Sequence, residues 1–472
     1  MLCDPDANSP AQHQIFGNDL LAQLDPDDPL MLLSRAIDWS RFEEEFAQYY
    51  SPDKGRPAIP IRRLVGLLIL KHLEDLSDEK VVLACKRNPY YQAFCGAIEF
   101  DRSMPCSSTE LCHFRQRIGT SGAQLIFAES VRMHGRAAEE VEVHIDSTVH
   151  EKNITYPTDS KLAIKIINRL NKMAQRHEVD QRRTYVKEVK TLRLACRHFR
   201  HVKRRRKAVK ALKRLRTIAH ALSRELRRKL PQEIAVVYEG DFVFYERVLA
   251  QKPKDKNKIY SLHEPQVYCI AKGKDHKPYE YGSKASIVST AKRGIILAAV
   301  SHERPVHDTH TLDEVLEKAM AVRQKPIKRG VCDRGYRGQK KVGETDIILP
   351  GTPLKRDTRY QRDTKRKRCR RRAAIEPLIG HLKHDHRLGR CFLKGAVGDQ
   401  INLLMAACAW NLKKWVAAFF RVWKLLSLDP ELAEAPHQGL RVLHWRSTIL
   451  VTLLLGLVSF SNPGLDISIP LF

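Results

Sequence analysis

The sequence predicts an α/β domain that is interrupted by a basic helical insertion and preceded by an all-helical domain. Three observations carry this. Apolar spacing is helical over 55–130, turns to strand alternation at 139–150, is helical again over 161–230, and is strand-like over 234–305. The positive charge is concentrated rather than spread. Of a formal net charge of +29, residues 161–230 hold 25 Lys and Arg against 4 Asp and Glu, and residues 355–372 hold 11 against 2. At 472 residues the chain has room for two or three domains with cores of their own.

The elements follow in order. Asp25 to Pro29 reads as a turn, and Phe42, Phe46 and Tyr49 mark a short amphipathic segment after Ile37-Asp-Trp-Ser40. Pro60 opens a helix that is apolar nearly all round, with Leu64, Val65, Leu67, Leu68 and Leu70, so it should be buried. Ser77, followed by Asp78 and Glu79, caps the next helix, which carries Val81, Val82 and Cys85. Ser107 and Glu110 have capping-box spacing and open a helix from Leu111 to Ile118. Val141, Val143 and Ile145 alternate with Glu142, His144 and Asp146, so the polar three share one face of a strand.

In the insertion, Leu162, Ile166, Leu170 and Met173 form one helical stripe, and Leu215, Leu222, Leu226 and Leu230 form another. A helical hairpin or small bundle with basic outer faces is expected there, densest in charge at Arg204, Arg205, Arg206 and Lys207. Ile234 to Tyr238, Gln266 to Ala271, Ser286 to Ser289 and Ile295 to Val300 read as strands, with Lys272 and Lys274 in a basic turn. Thr311 to Val322 reads as a helix, and Lys328 to Cys332 as a short strand that delivers Asp333. Residues 351–372 lack an apolar period and read as a basic loop. A helix beginning close to Glu376 and Pro377 carries on to Lys383, and Asn402 to Phe420 is a long apolar-striped helix.

Composition narrows the function classes. Two local basic segments point to a polyanionic partner. The 11 Cys form no Cys-x-x-Cys pair, and Met1 to Pro10 is polar and acidic without a signal-peptide pattern, so free thiols in a reducing cytosol are expected. Cys106, Cys112 and His113 suit buried thiols better than a zinc site. The apolar run Ser447 to Phe460 is 14 residues long, short of the roughly 20 a spanning helix needs. A buried segment or sticky tail is expected, and no membrane partner.

Three carboxylates carry the chemistry. Asp146 ends the run Val-Glu-Val-His-Ile-Asp, Asp333 sits within Gly330-Val-Cys-Asp-Arg-Gly-Tyr-Arg-Gly338, and Glu376 lies four residues after Arg372 and seven before Lys383. Phosphodiester transfer needs the attacking oxygen activated and the leaving oxygen stabilised, which two divalent ions held by two or three carboxylates can do. Magnesium prefers such oxygen ligands and keeps several waters. Tyr336 could stack on a base or pack, and His144 reads as structural.

In these flanks the chain resembles bacterial insertion-sequence transposases of the DDE superfamily, the group with an InsH-like N-terminal domain. The resemblance runs over most of residues 12–415. It rests on Ile37-Asp-Trp39, Gly55-Arg-Pro57, Ser107-Ser-Thr-Glu110 with Phe114-Arg115, Asp146-Ser-Thr148, Asp333-Arg-Gly-Tyr336, and Arg372-x3-Glu376-x6-Lys383. It implies an RNase H-like catalytic domain at 139–160 and 231–420, split by the 161–230 insertion, with a helical DNA-binding domain at 1–135 and a tail of unassigned role at 421–472. It implies that Asp146, Asp333 and Glu376 are catalytic and hold two Mg2+ ions, with Mn2+ able to substitute. It also implies that Arg372 and Lys383 hold DNA phosphate. The family's Tyr three residues before the Arg is Cys369 here.

The activity implied is binding of the element's terminal inverted repeats, metal-dependent strand cleavage, and transfer to target DNA. The work would be done as a homodimer or larger assembly on double-stranded DNA, at the nucleoid in a bacterial cytoplasm. Two alternatives share parts of this pattern. One is a non-catalytic DNA-binding protein derived from such an enzyme, and the other is a related nuclease acting on RNA–DNA hybrids.

Overall fold

The structure, a computed structural model, describes residues 19–51, 57–252, 255–271, 277–351 and 356–427. The apolar run at 447–460, Gly55, Lys272 and Lys274 lie outside the described residues. Contacts divide the chain into two units. The first comprises residues 1–150, 284–302 and 306–472; the second comprises 151–283 and 303–305.

The first unit opens with helices α1 (Leu20–Gln23), α2 (Pro29–Ala36), α3 (Trp39–Ala47), α4 (Ile61–Leu73), α5 (Asp78–Arg87), α6 (Pro89–Phe94) and α7 (Ser108–Arg132). Ser77 caps α5 through Lys80 N, and Ser107 and Glu110 form the expected capping box of α7. α7 outruns the expected end at Ile118, because Gly119 at φ 59° makes a kink and the helix then resumes. α4 is buried nearly all round, as its composition requires. Asp78 ties three helices together, accepting from Lys71 of α4 (2.7 Å) and from both terminal nitrogens of Arg115 of α7 (3.0 Å each). Cys112 of the considered zinc set turns its thiol to the same carboxylate, at 3.7 Å.

A mixed sheet follows. Its strands are β1 (Glu142–Glu151), β2 (Tyr268–Ala271), β3 (Tyr279–Thr290), β4 (Ile296–His302), β5 (Arg329–Val331), β6 (Lys341–Val342) and β7 (Thr345–Ile348). The order is β2-β3-β1-β5-β7-β6, with β4 also on β3. β1, β5 and β7 run parallel, while β4 is antiparallel to β3 and β6 to β7. α12 (Leu312–Ala321) joins the two halves of the sheet, and α13 (Arg359–Arg372), α14 (Ile375–Asp385) and α15 (Gly395–Ser427) complete the unit.

α15 packs on α4, α7 and β4, so one core runs from the N-terminal helices to the sheet. Its side chains also close the open edge of β4. Asn411 accepts from Ile296 N and donates to Ile296 O, both at 2.9 Å, and Gln400 does the same for Ser301 N and Ala299 O.

The second unit, which takes in β2 and the first residues of β3, is built on a helical bundle of α8 (Asp159–Arg176), α9 (Val186–Cys196), α10 (Arg205–Lys229) and α11 (Gln232–Ala250). The two expected stripes meet in its core, where Leu162, Ile166 and Leu170 join Leu215, Leu222 and Leu226. Ile234 to Tyr238 is not a strand but the start of α11. Its β-branched run suggested a strand, yet the stripe that decides is Phe242, Tyr245, Val248 and Leu249, all buried at helical spacing, while Val236 and Val237 are 70% and 77% exposed. Among the described residues no helix is long and apolar enough to cross a membrane.

Candidate active site

The register of β1 and β5 builds the site. Glu142 pairs with Arg329, Val143 with Gly330 and His144 with Val331. Continued two residues in both parallel strands, the same register sets Asp146 opposite Asp333. Side chains alternate across a strand, so both carboxylates leave the sheet on the face of His144 and Val331. Val143 and Ile145 point the other way into the core. Asp333 then caps a short 3-10 turn, Arg334–Tyr336, by accepting from Gly335 N at 2.8 Å.

Glu376 arrives from the first turn of α14, where an acidic side chain suits the helix dipole. Arg372 links it to the strand. Its guanidinium donates to Asp146 Oδ2 at 3.0 Å and lies 3.7 Å from Glu376 Oε1. Arg372 is the last residue of α13, and α14 begins at Ile375. The expected basic loop at 351–372 is therefore a helix over its second half. Thr358 and Gln361 form its capping box, and Lys and Arg are good helix formers that need no core. Arg368, one turn before Arg372, reaches Glu142 at 2.9 Å, so α13 lies along the polar face of β1. Cys369 is half-buried between these two arginines.

Burial pushes the Asp146 carboxyl above its ordinary value, the neighbouring Asp333 adds to this, and the Ser147 amide and Arg372 oppose it. His144 is buried and held neutral, pushed down to about 4 by desolvation, which makes it a packing residue. Tyr336 is fully buried, so it packs and does not stack on a ligand. Glu151 pairs with Lys277.

The donor set suits a hard divalent cation. Asp146 and Asp333 are partly buried on adjacent strands, Glu376 is 67% exposed and has room to swing, and a cationic group already bridges two of the three. Another group, His150, Cys391 and Asp399, is buried with ligand atoms within 4.8 Å of one another. Its nitrogen and sulfur donors suit softer metals than magnesium.

Of the expected DNA contacts, Arg205, Arg206 and Lys207 form the first turn of α10 and Arg204 immediately precedes it, all four exposed. Cations at a helix N-terminus oppose the dipole, so this cluster is not there to stabilise the helix. Lys383 lies in the last turn of α14, and Gly389 is held against its carbonyl, where a Cβ would come within 2.7 Å. Two participants were missed in the sequence, Arg368 and Asp308. Asp308 opens the 3-10 turn Asp308–Thr311, six residues after β4 ends at His302, and no local signal in the sequence marks it.

Residues 18–117 match the family described as Transposase domain (DUF772), and residues 249–412 match the Transposase DDE domain. The second match contains Asp333 and Glu376, and Asp146 lies between the two. The chain is also 36% identical over 204 residues to an uncharacterised protein, ORF8 in the nfe locus of Rhizobium meliloti, a span that is 42% of this chain and 98% of that protein. No solved structure matches the chain.

Proposed function

We propose that this chain, which belongs to the DDE transposases of insertion sequences, cuts DNA at the inverted-repeat ends of its own element and joins the freed 3′ ends to target DNA. The observation that carries the reading is the shared level of Asp146 and Asp333 on parallel strands, with Glu376 tied to Asp146 through Arg372. Asp146, Asp333 and Glu376 would hold Mg2+ or Mn2+ ions. When bound, such ions polarise the scissile phosphate and stabilise the leaving oxygen.

The rest falls to the chain's own groups. Arg372 has five N–H donors in a planar fork, enough to keep Asp146 and take a phosphate as well. Lys383, two turns along from Glu376, adds a second cation for the same strand. The exposed arginines and lysines of α10 and of α13 would each hold duplex backbone, without reading bases. The strand order β4-β3-β1-β5-β7, antiparallel between β4 and β3 and parallel from β1 onward, supports an RNase H-like catalytic core. The N-terminal helices would bind the element ends, and the active species would be a dimer or larger assembly on DNA.

Asp146→Ala tests this with a labelled duplex carrying the element's end. Cleavage should disappear while end binding, measured by gel shift, stays close to wild type. Full cleavage by the variant would refute the assignment.

A further inference from the structure

The hydrogen-bonded ladder between β1 and β5 ends at His144 and Val331, two residues short of the carboxylates. Beyond that point Cys332 N turns to Ile348 O of β7. No ladder bond therefore sets the spacing of Asp146 against Asp333, and some other group must.

Asp308 stands where that group should be. Its Oδ1 accepts from the Ser147 hydroxyl at 2.8 Å, next to Asp146, whose own Oδ1 accepts from Ser147 N at 2.8 Å. The same Oδ1 accepts from Lys284 Nζ at 3.1 Å, and Lys284 also donates to Val306 O at 2.7 Å, which fixes the lysine and the loop together. Asp308 Oδ2 lies beside Gly335, in the turn after the other carboxylate. A Cβ placed on Gly335 would lie 3.2 Å from Asp308 Oδ2 and 3.0 Å from Asp333 Oδ1, so both oxygens crowd over one glycine. Gly335 is the residue whose N–H holds Asp333, and any side chain there would press between the two acids.

We infer that Asp308 is a positioning residue that couples β1 at Asp146 to the turn after Asp333, with Lys284 as its fixed cationic partner. This rests on the reading that those two aspartates hold divalent metal. Asp308 acts through Ser147 and through the packing at Gly335, and its Oδ1 is already committed to two donors. A carboxylate in that state orients ligands more readily than it serves as one.

The test is Mn2+ binding to the full chain, followed by the electron paramagnetic resonance of free Mn2+, together with the Mn2+ dependence of end cleavage. Asp308→Ala should weaken Mn2+ binding about 10-fold, the lower end for loss of a group that orients metal ligands. The Mn2+ concentration for half-maximal cleavage should rise by the same factor, and saturating Mn2+ should restore most of the rate. Asp308→Asn keeps an oxygen for Ser147 and should behave close to wild type. Should Asp308→Ala fail to fold, Ser147→Ala breaks the same link and should shift Mn2+ binding in the same direction.

Wild-type Mn2+ binding by a folded Asp308→Ala overturns the inference. So does an Asp308→Asn as weak as the alanine variant, which would make Asp308 a ligand. If Asp146→Ala and Asp333→Ala leave Mn2+ binding intact, the metal reading itself fails and this inference falls with it.

Discussion

Helices α10 and α13 both carry dense positive charge, and they are held in opposite ways. α10 buries Ala208, Ala211, Leu215, Ile218, Leu222 and Leu226 along one stripe and displays its cations on the other. α13 has no buried residue at all. It is held by Arg368 to Glu142 at 2.9 Å and by Arg372 to Asp146 at 3.0 Å, so carboxylates of β1 do for it what leucines do for α10. A basic helix on a packed stripe keeps its place whatever its cations are doing. A basic helix held by ion pairs is coupled to the charge state of the groups that hold it, and here one of those groups is a proposed metal ligand.

The largest way to break this comparison is in the core of α10. Leu222→Ala removes a fully buried side chain and should cost about 3 kcal/mol in denaturant unfolding. Lys367→Ala, exposed on α13, should change the same measurement by less than about 0.5 kcal/mol. A similar loss from both would mean that α13 is packed after all.

Next in size is the ion-pair tether. Arg372→Ala should loosen α13 by about 2 kcal/mol, since the pair is largely shielded from water. Hydrogen exchange of the α13 amides should then quicken about 30-fold, with α10 amides unchanged. Equal exchange in wild type and variant would show that the tether does not hold the helix.

Acid gives a smaller effect, confined to the unit that carries α13. His72 is fully buried, and desolvation followed by the charge of Lys71 pushes it down to about 3. Its folded pKa lies below its unfolded value. The stability it protects is therefore complete above about pH 6.5 and is lost as pH falls below that. Between pH 7 and 5.5 the wild type should lose about 1.3 kcal/mol more than His72→Gln, by denaturation at the two pH values. The stripe of α10 is aliphatic and has no such dependence. Identical pH profiles would place His72 outside the core.

The same contrast explains what could be read from the sequence. α10 announces itself, because a helix stabilised by burial must repeat apolar residues every three or four positions. α13 shows no period, because the groups that hold it lie more than 200 residues earlier in the chain, on β1. α11 misled through Ile234 to Tyr238, where local β-branched preference lost to packing of the following turns. The candidate site was legible where one short segment holds both a proposed ligand and its flank, as at Asp146, Asp333 and Glu376. Arg368 and Asp308 were not, since each acts through a partner that only folding brings near.

The central claim is that Asp146, Asp333 and Glu376 form one metal site. The direct measurement replaces Mg2+ by Fe2+ and uses ascorbate and peroxide, so that hydroxyl radicals cut the backbone beside the bound ion. Cuts near all three residues are expected in the same sample, suppressed together by excess Mg2+ and lost together in Asp146→Ala. Cuts confined to the neighbourhood of His150, Cys391 and Asp399, or cuts near only one of the three carboxylates, would contradict it.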